Sequence, residues 1–206
     1  ALNEERRGFA RKIIVLDDDP TGVQTVNGIH VYTDWSPESI AEGFAEKNAM
    51  FFILTNSRAF QAAETEAEHW KIAERVAAEA KRTGKQFMLI SRSDSTLRGH
   101  YPLETETLAH ALEESGERID GEVLMPFFKE GGRFTIGDVH YVQEGADLTP
   151  AGETEFARDK TFGYTASNMK AYIEEKTKGA FRAADVVSIS LDDLRGVRVD
   201  ARSRRS

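Results

Sequence analysis

The 206-residue sequence contains no cysteine, which removes disulfides, thiolate metal clusters and cysteine nucleophiles together. It has no apolar run approaching about 18 residues and no signal-peptide pattern, so a cytoplasmic protein is expected. Net basic charge is lacking as well. Lys and Arg number 27 against 35 Asp and Glu, a formal charge of -8, so neither nucleic acid nor an anionic membrane is an expected partner. No G-x-G-x-x-G opens a helix, and no Lys-Ser or Lys-Thr follows Gly131, Gly132 or Gly137, so the chain shows no nucleotide-phosphate cradle of its own. The five histidines, His30, His69, His100, His110 and His140, lack metal-ligand spacing.

What is present is a globular composition, 40% hydrophobic and 30% charged. At roughly 100 to 200 residues per domain, this length fits one large domain. Short β-prone runs recur along it: Lys12 to Leu16, Ile29 to Thr33, Met50 to Thr55, Gln86 to Ser91, Glu122 to Met125 and Asp185 to Ser190. Several are continuously apolar, the pattern of parallel strands covered on both faces. Helices are expected between them. Ser36-Pro37 caps one running to about Asn48. A second spans Gln61 to Arg82 with Gly84 as its stop, a third Pro102 to Glu114, and a fourth Asn168 to Lys178 capped by Ser167. Alternating strands and helices imply an α/β, Rossmann-like fold with three α/β/α layers and a mainly parallel sheet. A β-hairpin excursion is expected near residues 133–142, broken at Gly137-Asp138. The reading is thus a charged segment over residues 1–11, an α/β domain over 12–200, and a disordered or artificial basic tail over 201–206.

In an open parallel sheet, ligands bind beyond the carboxyl ends of the strands. The loops expected there carry Asp17, Asp18, Asp19 and Thr21; Asn56, Ser57 and Arg58; Arg92, Asp94, Ser95, Thr96 and Arg98; and Lys129 and Arg133. A guanidinium fork matches a carboxylate or phosphate, and short hydroxyl and carboxylate groups match a polyol. Together they describe a site for a small, hydroxylated, anionic metabolite. The bland alternative is that the arginines pair with the aspartates and that Asp, Ser, Thr and Gly merely form turns. Asp17 to Asp19 could also hold magnesium through one or two carboxylates.

These segments resemble the four-carbon acid sugar kinase family, in its amino-terminal sugar-binding domain. The resemblance is carried by Asp18-Asp19-Pro20-Thr21-Gly22 (D-D-x-T-G), Thr55-Asn56-Ser57-Arg58 (T-x-S-R), Asp94-Ser95-Thr96-Leu97-Arg98-Gly99 (D-S-T-L-R-G) and Gly132-Arg133 with Thr135 (G-R-x-T). It implies ATP-dependent phosphorylation of a terminal hydroxyl on a four-carbon sugar acid such as threonate, erythronate or 3-oxo-tetronate. The implied substrate-binding residues are Asp18, Asp19, Arg58, Asp94, Ser95, Thr96, Leu97, Arg98 and Arg133, with Asp19 in the catalytic role. ATP and Mg2+ are implied for the complete enzyme, bound by a carboxyl-terminal domain that this chain does not contain. The expected partners are a small sugar acid and that ATP-binding domain, and homo-oligomer formation is left open. Family members often have Lys where Arg92 stands. Two rivals remain: a haloacid-dehalogenase-like phosphatase with Asp17 as nucleophile and Asp19 as acid and base, and a non-catalytic sugar-acid binding module.

Overall fold

The structure, a computed structural model, describes residues 8–22 and 26–195, so the first residues of the charged segment and the whole basic tail lie outside the described residues. The chain divides into two compact units, residues 1–125 and 126–206.

The first unit is built on four strands: β1 (Lys12–Asp17), β2 (Val31–Tyr32), β3 (Met50–Leu54) and β4 (Phe87–Arg92). All pair in parallel, in the order β2-β3-β1-β4. Three helices follow in turn: α1 (Pro37–Ala45), α2 (Ala62–Thr83) and α3 (Leu103–Glu114). Their ends obey local chemistry. The Ser36 side chain accepts the Ser39 N–H at 3.2 Å ahead of Pro37, and α2 stops at Gly84, whose φ of 66° is left-handed. An added Cβ at Gly84 would meet nothing within 4 Å, so the cost of Gly84→Ala is purely conformational. That variant is expected to lose about 1 kcal/mol, read as a lowered urea midpoint at unchanged slope.

Strand periodicity then decides which residues enter the core. Ile14 and Leu16 of β1 share a face with Phe51 and Ile53 of β3 and with Phe87 and Leu89 of β4. Ile40 and Phe44 of α1, Ile72 and Val76 of α2, and Leu108 and Leu112 of α3 pack against that one face. Phe51 lies edge-on to Phe44 and Tyr32, with ring centroids 6.2 and 5.6 Å away. The expected parallel α/β sheet is therefore present, and of its helical layers the described residues of this unit supply one. The topology explains this. The β2-α1-β3 and β3-α2-β4 crossovers run in the same direction across the sheet, and right-handed connections then put both helices on one side. The opposite face carries Ile13, Val15 and Asp17, Phe52, and Met88, Ile90 and Arg92.

Two expected strands did not form. Residues 122–125 and 186–190 have no strand structure, leaving Val123, Met125, Val187 and Ile189 at 77%, 77%, 85% and 64% exposure. β-propensity expresses itself through cross-strand packing, and these runs have no partner strand.

The second unit holds the anticipated hairpin and extends it. β5 (Arg133–Ile136), β6 (Val139–Glu144) and β7 (Asp147–Pro150) form an antiparallel sheet in the order β5-β6-β7. Its first turn is at Gly137-Asp138, both with positive φ. Helix α4 (Met169–Lys176) is capped by the side chain of Asn168, which accepts the Lys170 N–H at 3.0 Å; the expected cap, Ser167, instead accepts the Gly152 N–H at 2.8 Å. A short helix α5 (Leu191–Arg195) follows.

Candidate functional site

The order β2-β3-β1-β4 makes the carboxyl end of β1 a topological switch point. The chain leaves β1 toward β2 on one side and returns through α2 to β4 on the other, opening a crevice between the two loops. Asp17 and Arg92 are register partners there, on the face turned away from the helices, and Arg92 Nη1 donates to Asp17 Oδ1 at 3.0 Å. Asp17 is fully buried, and among the described residues its Oδ2 has no hydrogen-bond partner. Gly22 closes over this pair: a Cβ on it would come within 1.9 Å of Arg92 Nη1 and 2.1 Å of Asp17 Oδ2, so only glycine allows the approach.

Asp18, 2% exposed, is the hub of the crevice. Arg58 reaches it from the turn after β3 as a two-pronged fork, Nε to Oδ2 at 3.0 Å and Nη2 to Oδ1 at 2.7 Å. Arg58 Nη1 also donates to Asp19 Oδ2 at 3.2 Å. From the loop after β4, the Ser93 hydroxyl donates to Asp18 Oδ2 at 3.0 Å. Burial pushes the Asp18 carboxyl up to about 6 against the pull of Arg58. Asp19 is the more open carboxylate, its side chain 26% exposed, and the Thr21 hydroxyl holds it below the usual range. One carboxylate is thus buried and clamped, and its neighbour is ionised and reachable.

The D-S-T-L-R-G segment folds into a tight turn at the same crevice. Arg98 Nε donates to Asp94 Oδ2 at 2.6 Å, and the Thr96 hydroxyl also bonds Asp94. Leu97 adopts φ 65°, its N–H donates to the Asp94 carbonyl at 2.9 Å, and its side chain is buried. Leu97 therefore shapes the turn through its backbone. Ser95 is half-buried in it. Three loops of the first unit thus bring together Asp18, Asp19, Arg58, Asp94, Ser95, Thr96, Leu97 and Arg98. The fourth anticipated loop follows no strand of this sheet, because residues 122–125 remain unpaired. Its Arg133 belongs to the second unit, where Nη1 bonds the Gly131 carbonyl and the guanidinium lies 5.7 Å from the centroid of the Phe156 ring.

Sequence reading missed what stands behind the crevice. Glu104, the second residue of α3 and 3% exposed, accepts from the Ser57 hydroxyl at 2.7 Å and from the Ser91 hydroxyl at 3.2 Å. An acidic residue in the first turn of a helix reads as ordinary dipole chemistry, so the sequence offers no signal for this role. Among the described residues no group of three or more His, Asp or Glu is placed to hold a metal ion, and Asp17 and Asp18 are engaged by arginines. The expected magnesium ligands, Asp17 to Asp19, thus form no such group among the described residues. Among those residues, no helix is long and apolar enough to cross a membrane.

A parallel α/β sheet with ionisable and hydroxyl groups gathered at its switch point defines a small-ligand-binding α/β domain. The family model described as "Sugar-binding N-terminal domain" matches residues 13–205. The chain belongs to that family, the sugar-binding amino-terminal domains of the four-carbon acid sugar kinases. No curated protein matches the chain. Among solved structures, it is similar to a domain of unknown function (DUF1537) from Bordetella bronchiseptica, described as a domain-swapped dimer with bound citrate. In one crystal form the identity is 24% over 80% of this chain and 41% of that one, with a TM-score of 0.57; in a second, 24% over 79% and 39%, with 0.55. The chain therefore spans about two fifths of the length of these solved relatives.

Proposed function

We propose that this chain is the sugar-acid-binding part of an ATP-dependent kinase that phosphorylates a terminal hydroxyl of a four-carbon acid sugar of the threonate, erythronate or 3-oxo-tetronate class. The observation that carries the reading is the switch-point crevice, where clamped and open carboxylates, two arginines and several hydroxyls converge in a domain of this family. Arg58 and Arg98 hold the acid end of the ligand, exchanging part of their bonding to Asp18, Asp19 and Asp94 for the ligand carboxylate. Ser95 and Thr96 orient its hydroxyls, and Asp18 fixes Arg58. Asp19, ionised and reachable, stands beside the attacking hydroxyl as general base. The citrate in the Bordetella structures is itself a hydroxylated polyacid, and their domain-swapped dimers suit a homo-oligomer here.

Phosphoryl transfer also needs cations at the transferring group. ATP and Mg2+ are assigned to a carboxyl-terminal domain of the complete protein. The polypeptide alone is therefore expected to bind a four-carbon sugar acid in calorimetry and to show negligible ATP-dependent phosphorylation of it. Rapid phosphorylation by these 206 residues would overturn the division of labour.

The phosphatase reading is disfavoured by one observation: its nucleophile, Asp17, is fully buried beneath Gly22 and bonded to Arg92, so it has no path to a phosphorus atom. Phosphate release from a generic phosphomonoester would reinstate it.

A further inference from the structure

The ionic groups of the crevice can be counted. Four aspartates converge there, Asp17, Asp18, Asp19 and Asp94, against three guanidiniums. Arg92 bonds Asp17 at 3.0 Å and Arg98 bonds Asp94 at 2.6 Å, while Arg58 serves both Asp18 and Asp19. Glu104 adds a further carboxyl behind Ser57. These groups offer no surplus of positive charge, so a ligand carboxylate drawn in among them needs a compensating proton or cation.

Asp18 is the group placed to take that proton. It is 2% exposed and is forked by Arg58, the guanidinium that receives the ligand carboxylate in the sugar-acid reading on which this inference rests. Two carboxylates on one guanidinium, withdrawn from water, raise the proton affinity of one of them. Burial already brings Asp18 up to about 6, and Glu104 faces it from α3, with His69 of α2 standing 3.7 Å behind Glu104. The other aspartates are placed differently. Asp19 is partly open to water and is held below the usual range by the Thr21 hydroxyl. Asp17, also raised by burial, is bonded to Arg92, and Asp94 is bonded to Arg98 and Thr96. Ser93 can serve Asp18 in both states. Its Oγ lies 3.0 Å from Asp18 Oδ2 and 3.1 Å from the Arg98 carbonyl oxygen. The hydroxyl donates to an ionised Asp18, and it can turn to the Arg98 carbonyl and accept from a protonated one. Gly99 permits this closeness: a Cβ on it would fall 1.9 Å from Ser93 Oγ.

We propose that the sugar acid binds together with one proton, which Asp18 takes up, so that the ligand carboxylate and the Asp18 carboxylic acid share Arg58. Ser93 is the positioning residue that accommodates the proton. The charge of the crevice is then the same before and after binding. Linkage fixes the sign of the pH dependence, because the complex holds the proton more tightly than the free protein. Below about pH 6 Asp18 already carries its proton and affinity is level. Above it, affinity falls by up to about tenfold per pH unit.

Calorimetry tests the coupling. Threonate and erythronate are titrated into the 206-residue protein in metal-free buffers of differing ionisation enthalpy, and the dependence of the heat on that enthalpy counts the protons exchanged. At about pH 7 the parent is expected to take up close to one proton per ligand, and at about pH 5 close to none. Asp18→Asn keeps the shape but has no titrating group, so its uptake at about pH 7 is expected to vanish. Infrared difference spectra of bound against free parent give a second readout, in which a new carboxylic-acid C=O band is expected at neutral pH. Uptake below about a third of a proton in a parent that binds, or uptake that persists in Asp18→Asn, overturns the proposal. Binding that appears only with added Mg2+ assigns the compensation to a cation and overturns it as well. If Asp18→Asn does not fold, the infrared band and the pH midpoint of uptake in the parent decide. Binding without a proton defeats the coupling and leaves the sugar-acid reading standing, whereas failure to bind either acid, with or without Mg2+, defeats both.

Discussion

Arg58→Ala is expected to damage both stability and ligand binding, by amounts that separate with pH. The guanidinium is the charged partner of Asp18 through two hydrogen bonds of 2.7 and 3.0 Å, and Asp18 is 2% exposed. Removing it leaves a buried carboxylate without a counter-charge, a change that costs about 3 kcal/mol at sites of this kind. The pH dependence follows from Asp18. Its carboxyl is raised from 3.8 to about 6 in the folded protein, so the folded state binds the proton more tightly than the unfolded chain. The stability it contributes is fully present below the unfolded value and is lost as pH rises through about 6. A protonated Asp18 needs no arginine, so the parent and Arg58→Ala should be close in stability at about pH 5 and diverge above about pH 6. Denaturant melts at both pH values test this, and a gap independent of pH would remove Asp18 as its cause. At neutral pH, sugar-acid affinity should fall roughly ten- to a hundredfold, because the variant also lacks the fork for the ligand carboxylate.

The second large effect concerns Asp19 and rests on the proposed kinase reading. In the complete protein with its ATP-binding domain, Asp19→Asn is expected to lower kcat by about a hundredfold or more while changing KM little. The contrast with Asp18 is structural. Asp18 is buried and clamped, so its replacement would disturb the fold of the crevice. Asp19 lies partly open, is held ionised by Thr21, and has one oxygen shared with Arg58. Asparagine keeps the shape and one acceptor but cannot take a proton. Steady-state kinetics with threonate or erythronate decide the matter, and a near-normal kcat would remove Asp19 from the role of base.

The sequence by itself determined the parts of this protein set by local chemistry. Ser36-Pro37 and Gly84 bracket helices because a side-chain cap and a left-handed stop are properties of a few consecutive residues. The apolar runs at Lys12, Met50 and Gln86 became β1, β3 and β4, and the segments after them carried the crevice residues, because a parallel sheet sends its strand ends to one edge. Tertiary structure decided what depends on partners distant in the chain. Residues 122–125 and 186–190 are also mostly apolar and still formed none, because a strand needs a ladder that its own residues cannot supply. Only the fold assigned Arg58 to Asp18 and Arg92 to Asp17, 40 and 75 residues away. Only the fold placed Glu104 beneath Ser57, 47 residues away, because helix α3 begins at the carboxyl ends of the strands and puts its first turn there. Spacing along a chain encodes neighbours within one turn or one strand, and the charge balance of a buried crevice is set by the packing of several.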